Sequence, residues 1–470
     1  MSGWPRPSGG NDGGMPYAAI NPTTGQEVVR FDYHDAAEID RRLDRAHEAW
    51  QTWRTIPFAQ RAMLMTSAAE VLEAELPTAA TILTTEMGKT FASAKGEVAK
   101  CALAMRYYAE HAERYLATEQ ITSSAVRSGI RYEPLGPVLA IMPWNFPLWQ
   151  VIRFAAPAIM AGNVGVLKHA SNVPGTADYL EHLFVRAGFP EGVFINLFAT
   201  VEDIARVIAD DRIAAVTLTG SERAGRSVAA TAGQSLKKTV LELGGSDPFV
   251  VAPSANLEQT VPLAVTARIQ NNGQSCIASK RFIVVSSRAD EFVDRFTTAM
   301  SKVVTGDPFE PATVLGPVVS EAQRNELADQ VADSLAKGAT ATTGGTVPEG
   351  PGFFYPATVL TGVDPSMRAG CEELFGPVAV VLVADDLDHA ITIANDSPWG
   401  LGASVWAQDD AEQQRGIEQL EAGMVFVNAM VASTPELPFG GIKLSGYGRE
   451  LGAHGIQEFT NVKTFFVAAS

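Results

Sequence analysis

Residues 35 to 117 carry apolar side chains at helical spacing among Ala, Glu, Arg and Leu, as in DAAEIDRRLDRAHEAWQTW and FAQRAMLMTSAAEVLEAEL. The pattern predicts a group of amphipathic helices. From residue 137 the pattern changes. The short apolar runs PVLAIM (137–142), VGVLK (164–168), VFINLF (193–198) and AAVTLTG (214–220) alternate with helix-like stretches. Such a rhythm predicts buried strands joined by helices into a parallel sheet. It restarts after KKTVLELGG, with KRFIVVSS (280–287), a helical stretch and PVAVVLVAD (377–385). Two α/β halves are expected, joined near Gly244 and Gly245. The last segment, TNVKTFFVAA (460–469), alternates like an edge strand able to pair with another subunit.

Composition narrows the setting. The 470 residues are 46% hydrophobic and 19% charged, ordinary for a globular chain of two or three domains. A net charge of -17 argues against nucleic acid or an anionic membrane as partner, so an anionic ligand needs a local cluster of donors. The three cysteines, Cys101, Cys276 and Cys371, lie far apart, which argues against a disulfide framework and for a reducing, cytoplasmic compartment. No run approaches the roughly 18 apolar residues of a membrane span. The start, MSGWPRPSGGNDGG, has neither the basic opening nor the apolar core of a signal peptide and reads as a polar tail.

One cysteine stands out. Cys276 sits in NNGQSCIASKR, behind a polar turn containing Gly273, whereas a structural cysteine usually sits in an apolar run. It reads either as a partly exposed thiol near a loop or as a nucleophile. Four polar punctuations fall where parallel strands would end: WNFP, KHAS, TGSERAG and ELGG. Ligands of parallel sheets bind beyond such ends, so the four together point to one crevice. No GxGxxG occurs; Gly220 to Gly225 opens a predicted helix, a weak phosphate signal that a plain turn would also produce. Glu242, between an apolar strand and two glycines, suits a general base with a raised pKa, or equally a structural partner of a Lys or Arg. The seven histidines show no HxH or HExxH spacing and there is no CxxC, so no metal is expected. A GxSxG elbow is also missing.

Taken together, MPWNFPLW, LTGS, LELGG, NNGQSC, EELFGPV and PFGGIKLSGYGRE resemble the aldehyde dehydrogenase superfamily, in that family's order from INPTTGQ at residue 20 to the last strand. LKHASNVP and LELGGSDPF are similar to its bacterial NADP-preferring succinate-semialdehyde dehydrogenase branch. The resemblance implies an α/β fold with two parallel-sheet domains. A cofactor domain would span 1–115 and 135–243, a catalytic domain 244–445, and a small β bridging element 116–134 and 446–470. It implies a homodimer or homotetramer acting on a small-molecule aldehyde. Cys276 matches the nucleophile, Asn145 the oxyanion donor and Glu242 the base that activates water against a thioester. Trp144, Lys168, Ser171, Gly220, Ser221, Glu373 and Phe375 match cofactor positions.

Many NAD-preferring relatives carry Glu where this chain has Ser171. A carboxylate there would repel a 2′-phosphate, and His169 would add positive charge, so NADP is expected over NAD, with NAD still admitted. Arg153 matches an arginine that holds the substrate's distal carboxylate, although an Arg on a helix face paired with an acidic neighbour would look the same. Ser433 and Thr434 would add hydrogen bonds, and Trp149 would line the tunnel or simply fill core. Gln270 stands where some relatives place a second arginine, and Ala278 where some carry a second cysteine. A broader aldehyde range, a non-catalytic structural member and a cysteine hydrolase remain as alternatives. The hydrolase needs an imidazole beside the sulfur, and only His169 lies in a crevice motif.

Overall fold

The computed structural model describes residues 17–469, so the expected N-terminal polar tail falls outside it. Runs rich in Val, Ile and Leu with little alternation are suited to strands covered on both faces, and they form the centres of two sheets. The first has six strands in the order Gly446–Tyr447, Lys238–Glu242, Ala215–Thr219, Pro137–Met142, Val164–His169 and Phe194–Asn196. All its pairings are parallel except that of Gly446–Tyr447. The second has seven, in the order Thr340–Thr343, Thr358–Thr361, Val378–Ala384, Ser279–Val285, Asp247–Val251, Gly402–Trp406 and Met424–Val427. Here only Thr340–Thr343 runs antiparallel. The first sheet's strand ends at Glu242 and the second's begins at Asp247, so the link between halves is the short LGGS stretch.

The helices start where the sequence supplies caps. Asp35 accepts from the Glu38 N–H at 2.7 Å ahead of Ala36–Trp53, and Thr90 from the Ser93 N–H at 3.2 Å ahead of Phe91–Tyr115. The helices 36–53, 58–74, 76–87 and 91–115 pack into the same core as the first sheet, through Leu43, Met65, Leu83 and Met105. Among the described residues no helix is long and apolar enough to cross a membrane.

The bridging element is narrower than expected. Gly446–Tyr447 returns to the first sheet beside Glu242, and helix Gly452–Glu458 buries Ile456 in the first core. Only Thr460–Val467 leaves, pairing antiparallel with Arg127–Pro134, which in turn pairs with Glu119–Gln120. Two-residue strands carry no period, which is why the return escapes a reading based on periodicity. The outgoing strand exposes Val462, Phe466 and Val467.

Candidate active site

The loop that leads into Cys276 is bent in a way that few sequences tolerate. Asn271, Asn272 and Gly273 all hold positive φ, at 54°, 58° and 74°. Asn and Gly are the residues that visit this region at least cost. Each asparagine is then used as a tie. Asn271 Nδ2 donates to the carbonyls of Asn145 (2.7 Å) and Gln274 (3.0 Å), and Asn272 Nδ2 to those of Gly88 (2.8 Å) and Pro317 (2.9 Å). A Cβ at 273 would strike the Gly376–Pro377 backbone. We expect Gly273→Ala to cost about 3 kcal/mol, from left-handed strain plus overlap, read as a fall in denaturation midpoint.

The bend delivers Cys276 to a cavity of about 240 Å³. Its walls come from strand ends of the first half and loops of the second: Trp144 and Asn145, Gly220 and Ser221, Gly244, then Glu373 and Phe375. Seven of the candidate site residues, Trp144, Asn145, Gly220, Ser221, Cys276, Glu373 and Phe375, therefore meet in one space, and Glu242 lies outside its lining. Burial pushes the Cys276 thiol up to about 11, against the pull of the Arg153 and Lys280 charges. Asn145 is buried beside it; its Nδ2 donates to the Gln274 carbonyl at 3.1 Å, which leaves its second N–H for another acceptor.

Glu242 is 2% exposed and, among the described residues, neither carboxylate oxygen accepts a hydrogen bond. Burial and then the neighbouring Glu450 carboxylate drive its pKa well above the ordinary range, while Arg153 and Arg449 oppose this. The first sheet places it, since Lys238–Glu242 is flanked by Ala215–Thr219 and the returning Gly446–Tyr447. Gly440 keeps room beside it, for a Cβ there would stand 2.6 Å from Oε1.

Arg153 requires a correction. It is 1% exposed, ion-paired with Glu450, 3.3 Å from Thr219 Oγ1 and stacked on Phe439 with 4.3 Å to the ring centroid. The guanidinium is engaged within the protein rather than offered as a free fork, so the acidic-neighbour alternative describes it. His169 departs from expectation as well. It is buried, donates from Nε2 to the Pro147 carbonyl at 2.9 Å, and burial lowers its pKa to about 4, so it is neutral and adds no charge. Lys168 and Ser171, at and just after the end of Val164–His169, lie outside the 240 Å³ cavity. No carboxylate pairs with Lys168 among the described residues; it sits 5.6 Å from the Tyr17 ring and burial lowers its pKa to about 8. Ser433 and Thr434 line a separate cavity of about 370 Å³ with Met424, Phe426 and Phe439, and Trp149 is buried against Ser433.

Several site residues had no sequence signal. Lys280, four positions after the thiol, donates to the carbonyls of Ser275 (3.0 Å) and Cys276 (2.7 Å) and pairs with Glu373 (3.0 Å). It fixes the loop backbone and ties it to the far wall of the cavity. Its place inside ASKR looks like an ordinary strand start. Gln150 and Gln323 line the cavity too. Among the described residues no cluster of His, Cys, Asp and Glu could hold a metal, and the three cysteines are free.

Fold and site together define an α/β protein with a cysteine thiol in a crevice of about 240 Å³ where two largely parallel sheets meet. The model of the aldehyde dehydrogenase family matches residues 10–465. A succinate-semialdehyde dehydrogenase [NADP(+)] of Mycobacterium avium (strain 104) is 54% identical over 460 residues, 97% of this chain and 98% of the relative. One from Mycobacterium tuberculosis (strain ATCC 25618 / H37Rv) is 53% identical over 457 residues, 97% and 100%. Among solved structures, succinic semialdehyde dehydrogenase from Streptococcus pyogenes in complex with NADP+ superposes with a TM-score of 0.94 at 36% identity, covering 96% of this chain and 100% of that one. The chain belongs to the aldehyde dehydrogenase family.

Proposed function

We propose that this chain oxidises succinic semialdehyde to succinate with NADP as hydride acceptor, through a thioester on Cys276. The observation that carries the reading is that Cys276 and Asn145 line one crevice, while Glu242, buried and without a hydrogen-bond partner among the described residues, lies directly behind two residues of its wall, Thr219 and Leu243. The full-length likeness to NADP-dependent relatives supports the choice of aldehyde and cofactor. The residues present fit such a cofactor. Lys168 is a desolvated cation with no anionic partner among the described residues, Ser171 puts a neutral hydroxyl where a carboxylate would repel phosphate, and Ser221 caps helix Glu222–Gln234, whose positive N-terminal end favours a phosphate. Gly220, Ser221, Trp144, Phe375 and Glu373 would line the rest. NADP supplies the hydride acceptor when bound.

The protein's part is as follows. The Cys276 sulfur, as thiolate, adds to the aldehyde carbon, and the oxyanion that forms takes hydrogen bonds from the Asn145 side chain and the Cys276 N–H. Loss of hydride leaves a thioester. Glu242 takes a proton from water, the hydroxyl adds to the thioester carbonyl, and the C–S bond breaks to release acid and thiolate. Lys280 holds the loop so that sulfur and N–H keep their places.

The reading includes a homo-oligomer in the cytoplasm. The exposed Val462, Phe466 and Val467 on an edge strand support self-association, and three free cysteines support a reducing compartment. The test follows reduced cofactor at 340 nm, offering succinic semialdehyde or butanal with NADP or NAD. Strong preference for the semialdehyde with NADP is expected; equal rates on the two aldehydes would remove the substrate assignment. We also expect Ser171→Glu to lower the NADP-over-NAD ratio of kcat/KM by about a hundredfold, since it sets a like charge against the 2′-phosphate.

A further inference from the structure

With Arg153 committed to Glu450, the substrate's distal carboxylate needs another cation. Lys100 is placed for it. It lies on helix Phe91–Tyr115, a stretch that reads as plain amphipathic helix. Its Nζ donates to Ser433 Oγ at 2.7 Å and stands 4.2 Å from the centroid of Trp149. Trp149 Nε1 donates to the same hydroxyl at 3.1 Å. Ser433 thus accepts twice, and its own proton is left to give.

No carboxylate pairs with Lys100 among the described residues. Glu97, one turn back on the helix, is fully used: Oε2 pairs with Lys89, and Oε1 accepts from the Leu148 and Trp149 N–H groups, both at 2.9 Å. A largely desolvated ammonium with one hydroxyl partner is an incomplete arrangement that an anion would complete. Its position relative to the chemistry is also right. Ser433 lines the 370 Å³ cavity, whose Phe439 covers Arg153, and Lys100 is close enough to Arg153 and Cys276 to sense the charges of both. Trp149 opens helix Trp149–Met160, four positions after Asn145. None of Lys100, Trp149 and Ser433 lines the crevice of Glu373 and Phe375.

We infer that Lys100, held by Ser433 and the face of Trp149, binds the distal carboxylate of the aldehyde substrate, with the Ser433 hydroxyl as second donor. The inference rests on the reading of the substrate as an aldehyde acid. A lysine suits the site because a single ammonium on a flexible stem can reach the carboxylate over an aromatic face without the planar match a guanidinium demands.

The test compares wild type with Lys100→Met, which keeps the apolar stem and removes the charge. Succinic semialdehyde and butanal are each assayed with saturating NADP. The ratio of kcat/KM, semialdehyde over butanal, is expected to fall about ten- to hundredfold, as for a lost charged hydrogen bond, chiefly through KM for the semialdehyde. A variant that loses both aldehydes equally, or neither, overturns the assignment. Calorimetric titration with succinate, without cofactor, gives a second readout that does not depend on turnover. Binding by wild type that Lys100→Met weakens by a similar factor is expected, and unaltered binding in the variant speaks against the site. If wild type binds succinate through Lys100 yet oxidises butanal as well as the semialdehyde, the substrate reading fails while the carboxylate site stands.

Discussion

Cys276→Ala is expected to lose aldehyde-dependent cofactor reduction by more than about 10⁴-fold while keeping its fold, because no second group can form the covalent adduct. The wild-type thiol carries its own check. With its pKa pushed up to about 11, only about one molecule in ten thousand holds a thiolate at pH 7. Raising the pH frees more thiolate, so the ligand-free protein should be alkylated by iodoacetamide about tenfold faster per pH unit, up to near pH 11. A rate that levels off around pH 7 would mean the sulfur is already activated before anything binds. The Arg153 and Lys280 charges act in that direction but are outweighed by burial.

Glu242→Gln should separate the two halves of the reaction. The glutamine keeps the shape of the side chain and cannot take a proton from water, so the first turnover proceeds and the thioester then accumulates. Stopped-flow mixing is expected to show one equivalent of reduced cofactor per site, followed by a steady rate lowered by about 10²–10⁴. A slow rate with no initial burst would place the lost step earlier. The pH dependence follows from the raised pKa. Glu242 works only when ionised, so thioester hydrolysis should fall as pH drops through a value well above the usual carboxylate range. The acidic limb of the wild-type steady-state profile reports it, provided hydrolysis limits turnover.

How much of this was legible beforehand depends on whether a residue's role is local. The strands Pro137–Met142 and Ser279–Val285 were visible because they are buried on both faces and read as unbroken apolar runs. Cys276 was visible because Asn, Gly and Gln around it contradict a core cysteine. What stayed hidden was pairing across the chain. Arg153 looks like a free fork until Glu450 arrives from a distant segment, and Lys100 looks like surface helix until Ser433, 333 residues away, closes on it. His169 misled for a related reason: a histidine's charge is set by its burial and by the Pro147 carbonyl, neither of which its neighbours in sequence reveal. Lys280 is a case of local spacing with a non-local meaning, because its acceptors are near but its purpose is fixed by Glu373.

The return of Gly446–Tyr447 to the edge of the first sheet has a consequence for synthesis. The ribosome releases the thiol loop long before the strand that flanks Glu242, and Glu450, which neighbours that carboxylate, comes later still. Domains fold as they emerge, at roughly 5–20 residues per second, so both sheets have time to form around an unfinished site. A nascent or truncated chain ending before residue 446 carries every reactive group of the crevice and still lacks the ladder neighbour that fixes the base. A chain ending at residue 445 is therefore expected to bind cofactor and aldehyde in poor placement for hydrolysis, and to fall well below the full-length chain in aldehyde-dependent cofactor reduction.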